Sequence, residues 1–236
     1  FVFAPFLSKD PAFYLEKSKK VDDKQFFESE FFYGSERPFC ATQQEYFDYT
    51  LAAIDALKNG ILDKVVTSRV VQCRIEKDLR LLFYELCNQY PNAFVYLVSG
   101  PFGTWCGASP EILVSTKGKE LETVALAGTL PYREDGKYPW REKEKREQQM
   151  VADYIEKVLK DHHIDYKVGE RKTVRAGNVA HLKTTFTGYF DNLGQVMDLV
   201  QRLHPTPAVC GLPLNEARKF ILQNEKHQRA FYTGYL

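Results

Sequence analysis

No charge sign dominates this sequence of 236 residues, where 32 basic side chains stand against 31 acidic ones for a net charge of +1. So even a balance gives no chain-wide attraction for nucleic acid or an anionic membrane, and an anionic ligand has to be met by local groups. No apolar run approaches the roughly 20 residues of a membrane-crossing helix. The opening F-V-F-A-P-F lacks the basic residues and the length of a secretion signal. The cysteines (Cys40, Cys73, Cys87, Cys106 and Cys210) are odd in number and form no C-x-x-C pair. That argues against a disulfide frame or a zinc site and predicts buried thiols of a reducing cytosol. Internal repeats and low-complexity tracts are absent as well. What is present, 44% hydrophobic, suffices for one large domain or two tightly joined halves. The abrupt apolar ends, F-V-F and Y-T-G-Y-L, predict a fragment of a longer chain.

Taken in order, Phe1 to Phe6 reads as a strand, followed by a charged surface connection to Pro38 with an apolar patch at Phe26-Phe27 and Phe31-Tyr33. Thr42 and Glu45 make a capping box for a helix with Tyr46, Tyr49, Leu51, Ile54 and Leu57 at helical spacing, closed at Gly60. Asp78 caps a second helix that stops at Tyr90-Pro91. Short strands are expected at Ala93–Ser99, Thr104–Gly107, Ile112–Ser115 and Leu121–Leu126. A long charged helix is expected from Trp140, apolar only in its second half, which leaves the first half to solvent or a cleft. Strands over Ile164–Val174 and Val179–Tyr189 follow, then a helix ending at Leu203 and another with Pro213 in its first turn. Strand-rich blocks interrupted by helices argue for an α+β architecture with largely antiparallel sheets.

The stretch Asp63 to Val71, D-K-V-V-T-S-R-V-V, reads as a strand buried on at least one face, with Lys64 near its start. Two readings stand side by side. Lys64 snorkels to water from a strand end, or it lies at the floor of a cleft, desolvated enough to lose its proton and act as a base. Glu111, after the tight turn G-A-S-P, is either a surface residue or a general acid in a partly dry pocket. Gly128-Thr129 ends a strand, and its backbone N–H groups and hydroxyl suit a carboxylate as well as a plain loop exit. Glu144 and Glu147 share one helix face inside a charge run, either as a solvated surface or as hard oxygen ligands for Mg²⁺. His181 and His204 complete the candidates, each also readable as a hydrogen-bonded, half-buried residue.

Taken together, these runs resemble the chorismate-binding enzymes, a family that includes isochorismate, salicylate, anthranilate and aminodeoxychorismate synthases. The matching runs are K-V-V-T-S-R from Lys64, G-A-S-P-E from Gly107, L-A-G-T from Leu126, E-K-R-E-Q from Glu144, H-L-K-T-T-F-T-G from His181, L-H-P-T-P-A-V-C-G-L-P from Leu203 and R-A-F-Y-T-G from Arg229. Each is weak alone, but together they keep the family's order from residue 61 onward. The resemblance implies two intermeshed α+β halves that stack largely antiparallel sheets face to face, with helices outside. It also implies a single chorismate-binding domain over residues 1–236, truncated at the C-terminus relative to the family, whose members continue past the position of Tyr232 with strands bearing a substrate-clamping arginine, a Gly-rich turn and a further metal carboxylate.

Lys at position 64 resembles the members that add water to chorismate, whereas those that add ammonia usually carry Gln. The resemblance therefore implies a cytoplasmic, monomeric, Mg²⁺-dependent isochorismate synthase whose product feeds menaquinone or siderophore synthesis. Lys64 would be the base and Glu111 the acid. Glu144 and Glu147 would hold the metal; Gly128, Thr129 and Tyr232 would meet the substrate carboxylates, and His204 would line the metal side. The alternatives are a salicylate synthase, which goes on to eliminate pyruvate, and a non-catalytic relative that binds chorismate. The chain departs from the family's usual residues at Gln148 (His), Thr67 (Leu or similar) and Cys210 (a small residue).

Overall fold

A computed structural model describes residues 2–14, 26, 30–34 and 37–236. Among them the elements run β1 (Val2–Phe3), β2 (Phe13–Tyr14), α1 (Gln43–Lys58), β3 (Lys64–Val65), α2 (Leu79–Gln89), β4 (Phe94–Gly100), β5 (Gly103–Ser109), β6 (Ser115–Lys117) and β7 (Glu120–Pro131). Then come α3 (Glu142–Asp161), β8 (Tyr166–Val168), β9 (Lys172–Ala176), β10 (Val179–Tyr189), α4 (Leu193–Leu203), β11 (Gly211–Leu212) and α5 (Leu214–Asn224). Every strand pairing is antiparallel, as the sequence patterning predicts for an α+β chain. Part of the expected surface connection, including Phe27, lies outside the described residues.

The largest sheet has five strands in the order β6-β7-β10-β8, with β9 also on β10. Along β10, Ala180, Leu182, Thr184 and Phe186 alternate inward. The packing stripe of α3 meets that face through Val151, Ile155, Val158 and Leu159, at the i, i+4, i+7, i+8 spacing of one helix side. Leu121, Ala125, Leu199 and Leu203 complete this cluster. Each of its large side chains contributes about 1.5–3 kcal/mol when fully buried. A smaller cluster of Phe6, Ala56, Leu62, Cys210, Ala217 and Ile221 joins the N-terminal segment to α1 and α5.

Several expectations need correction. The stretch 63–71 is not a continuous strand; only Lys64–Val65 pair, with Gly211–Leu212. Beyond Val65 the ladder ends with the bond from Val66 N to Cys210 O, and side chains take its place: Arg229 donates to Val66 O and Glu225 accepts from the Ser68 amide. The capping box at Thr42 is present, but α1 buries Tyr49, Ala53 and Ala56 and leaves Leu51, Ile54 and Leu57 exposed. The alanines let α1 sit close to its neighbours, and Tyr49 stacks on Phe220 at 5.9 Å.

The expected strand at 112–115 begins only at Ser115, because Leu113 O is taken by the Thr123 hydroxyl instead of a ladder partner. Residues 164–174 split into β8 and β9 around Gly169, whose amide bonds Thr185 O at 2.8 Å. The long helix starts at Glu142, and Trp140 is instead tied to Thr173 Oγ1 at 2.9 Å. Pro213 is the residue before α5, not within its first turn. Of the cysteines only Cys210 is buried, and Cys73 is exposed.

Gly211 decides how near β11 approaches β3. Its φ is 144°, and a Cβ there would collide with Lys64 O and lie 2.8 Å from Ala217 Cβ. Gly211→Ala is expected to lose at least about 1–3 kcal/mol of unfolding free energy through that overpacking, read from urea midpoints. An unchanged midpoint would show that the two strands are not in such close contact.

Candidate active site

Lys64 is 9% exposed. Its Nζ donates to Pro207 O at 2.8 Å and lies 3.5 Å from Glu147 Oε1 on the second turn of α3. Burial pushes the Lys64 ammonium below the ordinary lysine range, while the Glu147 carboxylate, and then Glu111, pull the other way. A lysine held by one carbonyl and one carboxylate, away from bulk water, is not a snorkelling surface group.

Glu111 lies in the loop after β5, its amide donating to Ser109 Oγ at 3.3 Å. Solvent reaches this side chain, yet enough protein surrounds it that lost hydration raises its carboxyl above the ordinary glutamate value, with the nearby Lys64 ammonium opposing. The expected base and acid therefore occupy one electrostatic neighbourhood.

Glu144 is 3% exposed, and Arg141 donates to it through Nε at 3.2 Å, Nη2 at 2.5 Å and its backbone amide at 3.1 Å. The Arg141 guanidinium holds the Glu144 carboxyl at about 2. Gly128 sits directly against this turn. It is the extra residue of a β-bulge between β7 and β10, its φ is 73°, and a Cβ there would lie 2.9 Å from Glu144 O. Thr129 Oγ1 is 3.1 Å from His181 Nδ1, which is 3.2 Å from Gly128 O. One continuous path thus joins Lys64, Glu147, Glu144, Gly128, His181 and Thr129.

Two expected residues stand apart from it. His204 Nε2 donates to Pro5 O and Phe6 O at 3.0 and 3.1 Å, and burial keeps its imidazole below the ordinary value and so neutral. That ring is a strut between the N-terminal segment and the end of α4, so its Nε2 is not offered to a metal or substrate. It borders a concavity of about 660 Å³ with Asp10, Asp198, Arg202 and Tyr235, which none of Lys64, Glu111, Glu144 or Glu147 lines. Tyr232 lies in the C-terminal turn, 53% exposed, its amide bonded to Arg229 O at 2.8 Å.

Three features carry no plain sequence signal: the Pro207 carbonyl, the Arg141 clamp, and the burial of Gln148, noted in the sequence only as a departure from the family's usual residue. Gln148 is fully buried; its Nε2 reaches Thr184 Oγ1 at 2.9 Å and Ala125 O at 3.4 Å, and its Oε1 has no partner. An unmet buried acceptor costs about 1–3 kcal/mol.

The donor chemistry of Glu144 and Glu147 suits Mg²⁺, which takes one or two carboxylates and keeps sites for water and substrate. Arg141 now occupies the Glu144 carboxylate and Lys64 faces that of Glu147, so a metal would have to share both groups with these cations. Among the described residues no group of three His, Cys, Asp or Glu side chains comes together around a common point.

Against this geometry, the family model for chorismate binding enzymes matches residues 15–236. The chain belongs to the chorismate-binding enzyme family. It is 30% identical over 210 residues to the isochorismate synthase DhbC of Bacillus subtilis, covering 81% of this chain and 53% of that one. It is 28% identical over 207 residues to the isochorismate synthase EntC of Escherichia coli, covering 81% and 52%. The crystal structure of DhbC from Bacillus anthracis superposes with a TM-score of 0.72 at 29% identity, covering 81% of this chain and 56% of the other. The chain spans about half the length of the curated relatives it matches. No helix among the described residues is long and apolar enough to cross a membrane.

A glutamate whose folded-state value is raised destabilises the fold once it ionises. That cost is absent below the unfolded-chain value near ~4.3 and complete above the raised one. Glu111→Gln is therefore expected to melt above the parent at about pH 8 and level with it at about pH 3. A pH-independent offset in the thermal midpoints would contradict the desolvation of Glu111.

Proposed function

We propose that this chain carries the isochorismate synthase reaction, the addition of water at C2 of chorismate with loss of the C4 hydroxyl. The observation that carries the reading is the buried Lys64 ammonium, 3.5 Å from Glu147 and within electrostatic reach of the raised Glu111 carboxyl. Uncharged Lys64 takes a proton from the attacking water as the C2–O bond forms. The ring double bonds shift toward C4, and the C4–O bond breaks as Glu111 delivers a proton to the departing hydroxyl. One water enters and one leaves, so the net change is an isomerisation. Lost hydration favours both needed states, lowering the buried amine and raising the acid that protein crowds.

Gly128 and Thr129, with His181 beside them, present polar groups to a substrate carboxylate. Glu144 and Glu147 would hold Mg²⁺, which when bound neutralises the ring carboxylate. The balanced charge and the unpaired thiols support a cytoplasmic enzyme of a small-molecule substrate.

The deciding experiment incubates the intact protein with chorismate and Mg²⁺. Isochorismate as the accumulating product supports the reading. Salicylate with pyruvate would make it a salicylate synthase, and chorismate binding without turnover would make it a non-catalytic relative. Lys64→Ala is expected to lower kcat by about 10²–10⁴-fold, the usual contribution of a positioned base. Activity unchanged in that variant would remove Lys64 from the chemistry.

A further inference from the structure

The base is only as well placed as the chain segments that carry it, and those segments have little ladder of their own. Lys64 sits on a two-residue strand, and its partner Pro207 lies in the turn that precedes β11. The last backbone bond between them is Val66 N to Cys210 O at 2.9 Å. Just past it, Val66 O and Val209 O, each two residues from one member of the Lys64–Pro207 pair, both accept from one guanidinium. Arg229 Nη2 reaches Val66 O at 2.7 Å and Nη1 reaches Val209 O at 2.9 Å.

The same guanidinium is gripped from behind. Its Nε and Nη2 donate to Glu225 Oε2 and Oε1 at 2.8 and 2.6 Å, and its carbon lies 4.7 Å from the Phe6 ring centroid. The Arg229 and Glu225 side chains are 3% and 2% exposed. Glu225 is held in turn by the Ser68 amide at 2.8 Å and the Tyr49 hydroxyl at 3.1 Å. Ser68 Oγ meets His227 Nε2 at 2.9 Å. An ion pair so enclosed adds little stability beyond well-packed apolar residues of similar volume, because desolvation offsets most of the attraction. Fixing two otherwise unladdered segments in one register is a use that apolar packing does not supply.

We infer that Arg229, oriented by Glu225, is a positioning residue for Lys64: it clamps Val66 and Val209 and so sets where the lysine meets Pro207 and the substrate. The inference rests on the isochorismate synthase reading for its kinetic part only. A guanidinium is required because four N–H groups diverge in fixed directions to four acceptors, whereas a lysine ammonium has three donors and no fork.

The test uses the intact protein with Arg229→Lys, Arg229→Ala and the milder Glu225→Gln. Val196→Ala, in the core against α3, serves as a variant that is merely destabilised. Kinetics are taken well below each thermal midpoint and normalised to folded protein. Arg229→Lys is expected to lose about 10- to 100-fold in kcat, the scale of a 1 Å misplacement, with KM for chorismate within a few fold. Arg229→Ala is expected to regain part of that loss with added methylguanidinium, and Glu225→Gln to show a smaller loss of the same kind. In amide hydrogen exchange, Val66 and Ser68 are expected to lose protection while β7 and β10 keep theirs.

A kcat for Arg229→Lys equal to the parent's, or the same loss in Val196→Ala, would overturn the assignment. If the Arg229 variants do not fold, Glu225→Gln decides alone, and wild-type kcat in it counts against the clamp. If the parent makes no isochorismate, the function reading fails but exchange at Val66 and Ser68 still decides: protection unchanged in folded Arg229→Lys or Glu225→Gln would refute the clamp.

Discussion

A positive charge kept away from bulk water has to be solvated by the protein, and most of this molecule's unusual local structure follows from doing that for Lys64. The ammonium has a carbonyl at 2.8 Å and a carboxylate at 3.5 Å, far fewer oxygens than water would offer, so the amine form is favoured relative to an exposed lysine. Those partners come from distant parts of the chain, the turn before β11 and the second turn of α3. The strand bearing the lysine therefore has to be held near both at once. Gly211 permits the close approach of β11, and the bulge at Gly128 brings β7 against the α3 turn that carries Glu144.

The polar groups that hold this region replace secondary structure and do not merely decorate it. From Val66 to Ser68 the backbone is met by Arg229 and Glu225. His204 does the same for Pro5 and Phe6. Side-chain partners satisfy buried backbone groups without demanding the flat, paired geometry of a sheet. The chain is thus free to bend where a ligand cleft requires it. Each such contact depends on one side chain, so the geometry is more vulnerable to single changes here than inside the five-stranded sheet.

Local signals were therefore read well where local chemistry decides, and poorly where distant side chains do. The capping box at Thr42, the Asp78 cap and the alternation along β10 are visible because one residue's neighbours in sequence are also its neighbours in space. The run 63–71 looked like a strand because its β-branched residues suit one, but a guanidinium 163 positions away claims Val66 O. The apolar stripe assigned to α1 through Leu51, Ile54 and Leu57 failed for a related reason. Which face a helix buries depends on what approaches it, and here the small Ala53 and Ala56 give closer contact than the leucines would. At the site, Lys64, Glu111, Glu144 and Glu147 are singled out by the order of motifs, whereas the pairing of Lys64 with Glu147, the strut role of His204 and the unmet acceptor of Gln148 depend on three-dimensional neighbours that no spacing encodes.

Helix α3 brings these strands of argument together because its two halves do opposite work. From Val151 to Leu159 it buries an apolar stripe against β7 and β10, in the cluster that contributes most of the hydrophobic stabilisation. From Glu144 to Gln148 it buries a carboxylate and an amide, groups that cost stability unless each is matched. Near the helix start the aligned peptide dipoles favour negative charge, and Arg141 and Lys64 each answer one carboxylate. The apolar half can tolerate this because its packing fixes the helix axis regardless of what the first turns carry. Packing further along the same helix thus offsets the cost of its polar first turns, including the Gln148 Oε1 that no protein group meets.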